Sequence, residues 1–166
     1  MKWCPPPAGF YKANWDAATS GDQNRTGVGV LIRDERGLVI AVLSKTIFAK
    51  LDPQIAKATA PLQAVELCRD IGVQDIFLEG DALTIVKAIA SRTPTWYSFG
   101  QIVDDIRVVL GSRISWQVGH IKRGANGAVH ELAKEAIRRD NDNIWMEEYP
   151  HCISQIVVSE CEALFL

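Results

Sequence analysis

The feature that most limits what this chain can fold into is a change of apolar period part-way along it. Three successive segments alternate in side-chain character as half-buried strands do: Gly9 to Ala17, Thr26 to Arg33 and Leu38 to Thr46. Between the last two, Asp34-Glu35-Arg36-Gly37 has the composition of a hairpin turn, so the three segments predict an antiparallel meander. The spacing then turns helical, with Ala58, Leu62, Val65 and Cys68 on one face and Gly72 as a stop signal. Ile76 to Glu79 predicts a short buried strand, Ala82 to Ser91 and Phe99 to Leu110 two helices, and Ser115 to Ile121 a strand. A last helix, Asn126 to Arg139, turns Val129, Leu132, Ala133, Ala136 and Ile137 to one side.

A meander followed by helical crossovers implies parallel neighbours for the later strands. The expected fold is therefore α/β, with a mixed five-stranded sheet flanked by helices. It is expected to form one domain over residues 1–166, with its core at about 9–140 and a tail at 141–166. The tail's two short apolar runs, Ile153 to Val158 and Ala163 to Leu166, have no readable period, and the prolines of Trp3-Cys4-Pro5-Pro6-Pro7 predict an extended start. A chain of 166 residues buries roughly two-thirds of its unfolded surface without help from disulfides or structural metal.

Composition excludes several classes. Apolar residues are 48% and charged residues 23% of the chain, and no apolar run approaches the ~20 residues of a membrane span. A net charge of -2 provides no global attraction for a polyanion, so any nucleic-acid contact has to come from a local patch. The first residues contain no apolar stretch of signal-peptide length, and Cys4, Cys68, Cys152 and Cys161 form neither a CxxC pair nor a tight cluster. The expectation is an intracellular protein, nuclear or cytoplasmic, that is not secreted.

Two aspartates stand where chemistry is expected. Asp16 ends the first predicted strand and Asp81 follows the fourth. Carboxylates at the tips of two core strands can converge on one hard divalent cation, which takes oxygen ligands. For Asp81 there is a second reading, because Asp ahead of Ala82-Leu83 is also a good helix N-cap.

Several motifs follow one another in a distinctive order. They are Asn14-Trp15-Asp16-Ala17-Ala18, Gly27-Val28-Gly29-Val30-Leu31-Ile32-Arg33-Asp34, Leu78-Glu79-Gly80-Asp81, and Gly119-His120 with Arg123, Asn126 and His130-Glu131-Leu132-Ala133-Lys134. In that order the chain resembles the plant ribonuclease H-like domains of retroelement (non-LTR reverse transcriptase) origin, within the ribonuclease H superfamily. The resemblance runs from Trp3 to Ile144-Trp145-Met146-Glu147-Glu148-Tyr149-Pro150.

The resemblance implies a ribonuclease H-like fold and a hydrolase, an endonuclease that cleaves the RNA strand of an RNA/DNA hybrid. Four acidic residues would hold two Mg2+ or Mn2+ ions, which activate water and stabilise the leaving oxygen. It assigns the first acid to Asp16 and the third to Asp81. Counting back from Ile71-Gly72, the second falls on Lys57, in Ala56-Lys57, and the fourth falls on His130, where plant members often carry histidine. His120 matches a mobile histidine suited to proton transfer. Asn126, Arg123 and Lys122 match positions expected to contact nucleic acid.

Lys57 changes what such a site can do. Asp16, Lys57, Asp81 and a neutral His130 together carry -1, where four carboxylates would carry -4. An ammonium a few Å from Mg2+ is repelled by several kcal/mol even at an effective dielectric of about 20. The same ammonium can serve as a built-in counter-ion to Asp16 or Asp81. Pro61 adds an alternative: either the helix kinks there, or it begins near Thr59 and leaves Lys57 outside. Three functions stay open at this point. They are a module that binds nucleic acid with weakened or lost cleavage, an active hybrid ribonuclease, and a non-catalytic protein-interaction scaffold.

Overall fold

A computed structural model of the chain describes residues 2–91, 97–140 and 142–165. Positions 141 and 166, at the two ends of the expected tail, lie outside the described residues. The meander is present as β1 (Tyr11–Ser20), β2 (Arg25–Arg33) and β3 (Val39–Ile47), and α1 (Pro53–Asp70) leads to β4 (Asp75–Gly80). Next come α2 (Leu83–Ala90), α3 (Gly100–Gly111), β5 (Ser115–His120) and α4 (Gly127–Arg139), and finally β6 (Asn143–Met146) and α5 (Ser154–Ala163).

The sheet order is β5-β4-β1-β2-β3-β6. β1, β2 and β3 pair antiparallel, whereas β4 runs parallel to β1 and β5 parallel to β4. The expected five strands are thus six, because Asn143–Met146 from the unreadable tail pairs antiparallel with β3. Four residues are too few to establish a period of two in sequence. The turn at Asp34 closes as expected: the Gly37 N–H donates to the Asp34 carbonyl at 3.0 Å, and Gly37 takes a φ of +83° that only glycine adopts freely.

Alternation along β1 separates two environments. Ala13, Trp15 and Ala17 enter the larger core, which α1, α2 and α3 cover. Lys12, Asn14 and Asp16 also are buried, but their polar side chains turn toward α4 and the N-terminal arm. On that second face Leu31, Val42, Val129, Leu132, Ile153 and Val157 make a smaller core.

Two boundaries differ from expectation, and both bear on the site. β1 does not end at Asp16 but continues to Ser20, because Ala17 to Ser20 pair with Val28 to Arg25 across the hairpin. Nor does α1 begin near Thr59. Asp52 accepts the Gln54 N–H at 3.0 Å as N-cap, Pro53 takes the first helical position, and Pro61 lies inside the helix, so Lys57 is helical. Pro61 lacks the N–H that would otherwise bond the Lys57 carbonyl four residues earlier.

The glycines of β2 determine how near α4 lies. A Cβ on Gly29 would come within 2.5 Å of the Val129 carbonyl oxygen and 2.7 Å of Leu132 Cβ, and one on Gly27 would collide with the Ala133 carbonyl. Backbone cannot yield as a flexible side-chain tip can. Gly29→Ala is therefore expected to lower stability by about 1–3 kcal/mol in urea unfolding, and an unchanged unfolding midpoint would show that α4 does not sit this close.

Candidate active-site cluster

β4 accompanies β1 only as far as the pair Trp15↔Gly80, so Asp16 and Asp81 leave that ladder side by side. Gly80 itself is required by packing, since a Cβ there would collide with the Trp15 indole. Four elements then deliver side chains to the same spot: Asp16 from β1, Lys57 from α1, Asp81 from the end of β4 and His130 from α4.

Asp16 is the hub. Its side chain is 1% exposed, and both carboxylate oxygens are engaged. Lys57 Nζ donates to Oδ1 at 2.7 Å and to the Ala17 carbonyl at 2.9 Å, and the Ala17 N–H also donates to Oδ1 at 2.8 Å. On the other side His130 Nδ1 lies 3.0 Å from Oδ2, and Arg123 Nη2 lies 3.2 Å from His130 Nε2. A guanidinium has no acceptor, so Nε2 accepts in that contact and the ring proton sits on Nδ1, directed at Asp16. Lys57, Asp16, His130 and Arg123 thus form one continuous chain of donors and acceptors.

Asp81 stands beside this chain without joining it. No side chain caps α2, whose N-cap is Ala82, so the capping role that its sequence position suggested is not adopted. Its carboxyl is pushed above its ordinary value, first by burial and then by the negative charge of Asp16, with Lys57 and Arg123 opposing. His120, at the end of β5, donates from Nε2 to the Asp81 carbonyl at 3.2 Å and is exposed. Lys122 is exposed just ahead of the short 3-10 turn Arg123–Ala125.

Asn126 is turned inward. It is 2% exposed, and its amide is used inside the protein: Nδ2 donates to the Trp15 carbonyl at 3.1 Å and Oδ1 accepts from Asn14 at 3.4 Å. It braces the start of α4 against β1.

Behind the cluster lies a polar network that the motifs did not announce. Lys12 Nζ bonds Glu79 Oε1 at 3.2 Å and the Cys4 carbonyl at 2.7 Å, Asn14 donates to Glu79 Oε2 at 2.9 Å, and Trp3 Nε1 donates to Asn14 Oδ1 at 2.9 Å. The signal for it was present in β1 as the period-two polar stripe Lys12, Asn14, Asp16.

A pair of divalent cations does not fit this donor set. Such ions need several oxygen ligands, yet Asp16 already serves an ammonium, a backbone N–H and an imidazole N–H. Among the described residues no three His, Cys, Asp or Glu side chains are arranged to hold a metal ion.

The six-stranded mixed sheet with helices on both faces is a ribonuclease H-like fold. Its similarity extends to ribonuclease H1 of the archaeon Halobacterium salinarum, with a TM-score of 0.72 and 25% identity over 78% of this chain and 98% of that one. The N-terminal ribonuclease H domain of a Mycobacterium tuberculosis protein superposes with a TM-score of 0.71 at 13% identity, covering 78% of this chain and 94% of that chain. LC11 ribonuclease H1, solved in complex with an RNA/DNA hybrid, does so at 0.69 and 21%, covering 78% and 98%. In sequence, the Halobacterium salinarum ribonuclease HI is 28% identical over 137 residues, 80% of this chain and 67% of that protein. Residues 14–136 match the reverse transcriptase-like family, and the chain belongs to that family.

The burial of Asp81 beside Asp16 makes a measurable prediction. A carboxyl whose pKa is raised by folding binds its proton more tightly in the folded state, so its contribution to stability falls as pH rises through that range. Asp81→Asn is therefore expected to melt higher than the parent at pH 7, with the gain vanishing below the ordinary carboxyl value of 3.8. A lower melting temperature at pH 7 would contradict the arrangement.

Proposed function

We propose that this chain is a nucleic-acid-binding ribonuclease H-like module in which Lys57 occupies the position of a metal-binding glutamate, so that cleavage of RNA/DNA hybrids is lost or severely weakened. The observation that carries this reading is the 2.7 Å bond from Lys57 Nζ to Asp16 Oδ1. The ammonium stands where a cation would be attracted, neutralises Asp16, and would repel an incoming Mg2+ by several kcal/mol at an effective dielectric of about 20.

Asp16 and Asp81 are the remaining acids of the ancestral site in this reading, with His130 at the fourth position and His120 beside the place of proton transfer. Arg123 and Lys122 supply phosphate contacts from the loop after β5, where Lys122 is exposed and Arg123 already borders the cluster. Support for hybrid as the ligand comes from the relatives: one is named ribonuclease HI, and one similar structure holds an RNA/DNA hybrid. Descent from a plant retroelement is supported by the motif order from Trp3 to Pro150. The free cysteines Cys4, Cys68, Cys152 and Cys161 fit a reducing intracellular setting, nuclear or cytoplasmic.

The test is cleavage of a labelled RNA/DNA hybrid with Mg2+ or Mn2+, comparing the chain with Lys57→Glu. Binding without appreciable cleavage is expected from the parent, and cleavage at least roughly a hundredfold faster from the variant, given what one member of a cooperating catalytic set contributes. Strong and equal cleavage by both would establish an active hybrid ribonuclease instead. Failure to bind hybrid, duplex or single strand at low salt would favour a protein-interaction scaffold.

A further inference from the structure

A second surface lies at the far margin of the sheet, away from Asp16. Ile144 and Met146 of β6 pair with Leu43 and Ala41 of β3 and so share the face that α1 covers. They remain 59% and 50% exposed, while Trp145 between them packs into the smaller core and anchors the strand. Two adjoining grooves meet along this line, and their apolar floor comprises Ile40, Leu43, Leu67, Ile71, Ile144 and Met146. Leu67 belongs to the last turn of α1 and Ile71 is its C-cap, about three and four helical turns beyond Lys57.

The rim of these grooves is acidic. Glu66, Asp70, Asp142 and Asp75 line them with a single cation, Lys45, which lies 3.9 Å from Asp142. The neighbouring Arg69 lies 3.5 Å from Asp70, so the carboxylates still outnumber the cations. β6 is also the last strand of the sheet and holds no charged residue across Asn143–Met146. Edge strands are usually blunted by short length, inward-pointing charge, proline or cover, and of the first three β6 has only its length of 4 residues. An uncharged edge beside an apolar groove has the form that accepts an added strand through main-chain hydrogen bonds, with pockets for alternate side chains.

We propose that this margin docks an extended, basic peptide segment of a partner protein, which adds as a strand to β6 and seats its alternate apolar side chains in the groove. Its flanking lysines or arginines would meet Glu66, Asp70, Asp75 and Asp142. Charge complementarity selects this occupant. Nucleic acid would be repelled by the same carboxylates, and a second copy of the chain would bring an identical acidic rim against this one.

The probe is a fluorescein-labelled peptide, Lys-Lys-Val-Thr-Val-Thr-Val-Lys-Lys, titrated into the full chain and followed by anisotropy and by amide shifts. Its control carries glutamate in place of every lysine. Saturable binding of the basic peptide is expected, with amide shifts concentrated in β6 and the C-terminal half of α1. Binding should weaken roughly tenfold in the double variant Ile144→Asp, Met146→Asp, and likewise in Glu66→Lys, as when a central apolar anchor or its charge partner is lost. These side chains are not buried, so the circular dichroism of both variants should match the parent. Absence of binding, equal binding by the double variant or by the acidic control, or shifts confined to the Asp16 cluster would each overturn the proposal. A concentration-dependent dimer abolished by the double variant would assign the surface to a second copy instead.

Discussion

The site depends on how near α4 lies to β2. Where Gly27 and Gly29 face the Val129 and Ala133 carbonyls, no side chain of any size can intervene. The helix therefore settles against the sheet backbone itself. That approach puts Asn126 within reach of the Trp15 carbonyl and His130 within 3.0 Å of Asp16. With Gly80 yielding its place to the Trp15 indole at the β1/β4 boundary, three glycines hold a buried carboxylate where side chains from four elements converge. Polar groups buried at such a meeting point are costly unless satisfied. Lys57, Ala17, His130 and Arg123 satisfy Asp16 and then His130 in turn.

The charge of the cluster follows from this geometry. Asp16 is enclosed by donors, one of them a full positive charge at 2.7 Å, and Asp81 is left beside it with a carboxyl made harder to ionise. Lys57 and Arg123 bring positive charge to the cluster from the protein's own side chains.

Much of the fold was legible in the sequence because its elements are long enough to show a period. The meander and the amphipathic α4 appear within a few residues of where their patterns placed them. β6 was not legible, since Asn143–Met146 offers four residues and a burial pattern imposed by β3 and the smaller core. The start of α1 was obscured because Pro61 competes with Pro53 for the role of helix opener. Only the Asp52 cap and the tolerance of a surrounding packed helix decide between them. At the site, Asp16, Asp81, His120, His130 and Lys57 were nameable from motif order. The His130–Asp16 contact, the inward turn of Asn126 and the Lys12–Glu79 pair beneath depend on contacts between residues 67 or more apart in sequence, which no local pattern encodes.

In the proposed module the Lys57 ammonium, rather than a metal ion, neutralises Asp16. This is tested most directly by soaking crystals of the chain in Mn2+ and collecting anomalous data. No manganese peak is expected beside Asp16, with Lys57 Nζ still at hydrogen-bond distance from Oδ1. A manganese ion bound between Asp16 and Asp81, with the lysine side chain swung clear, would contradict it.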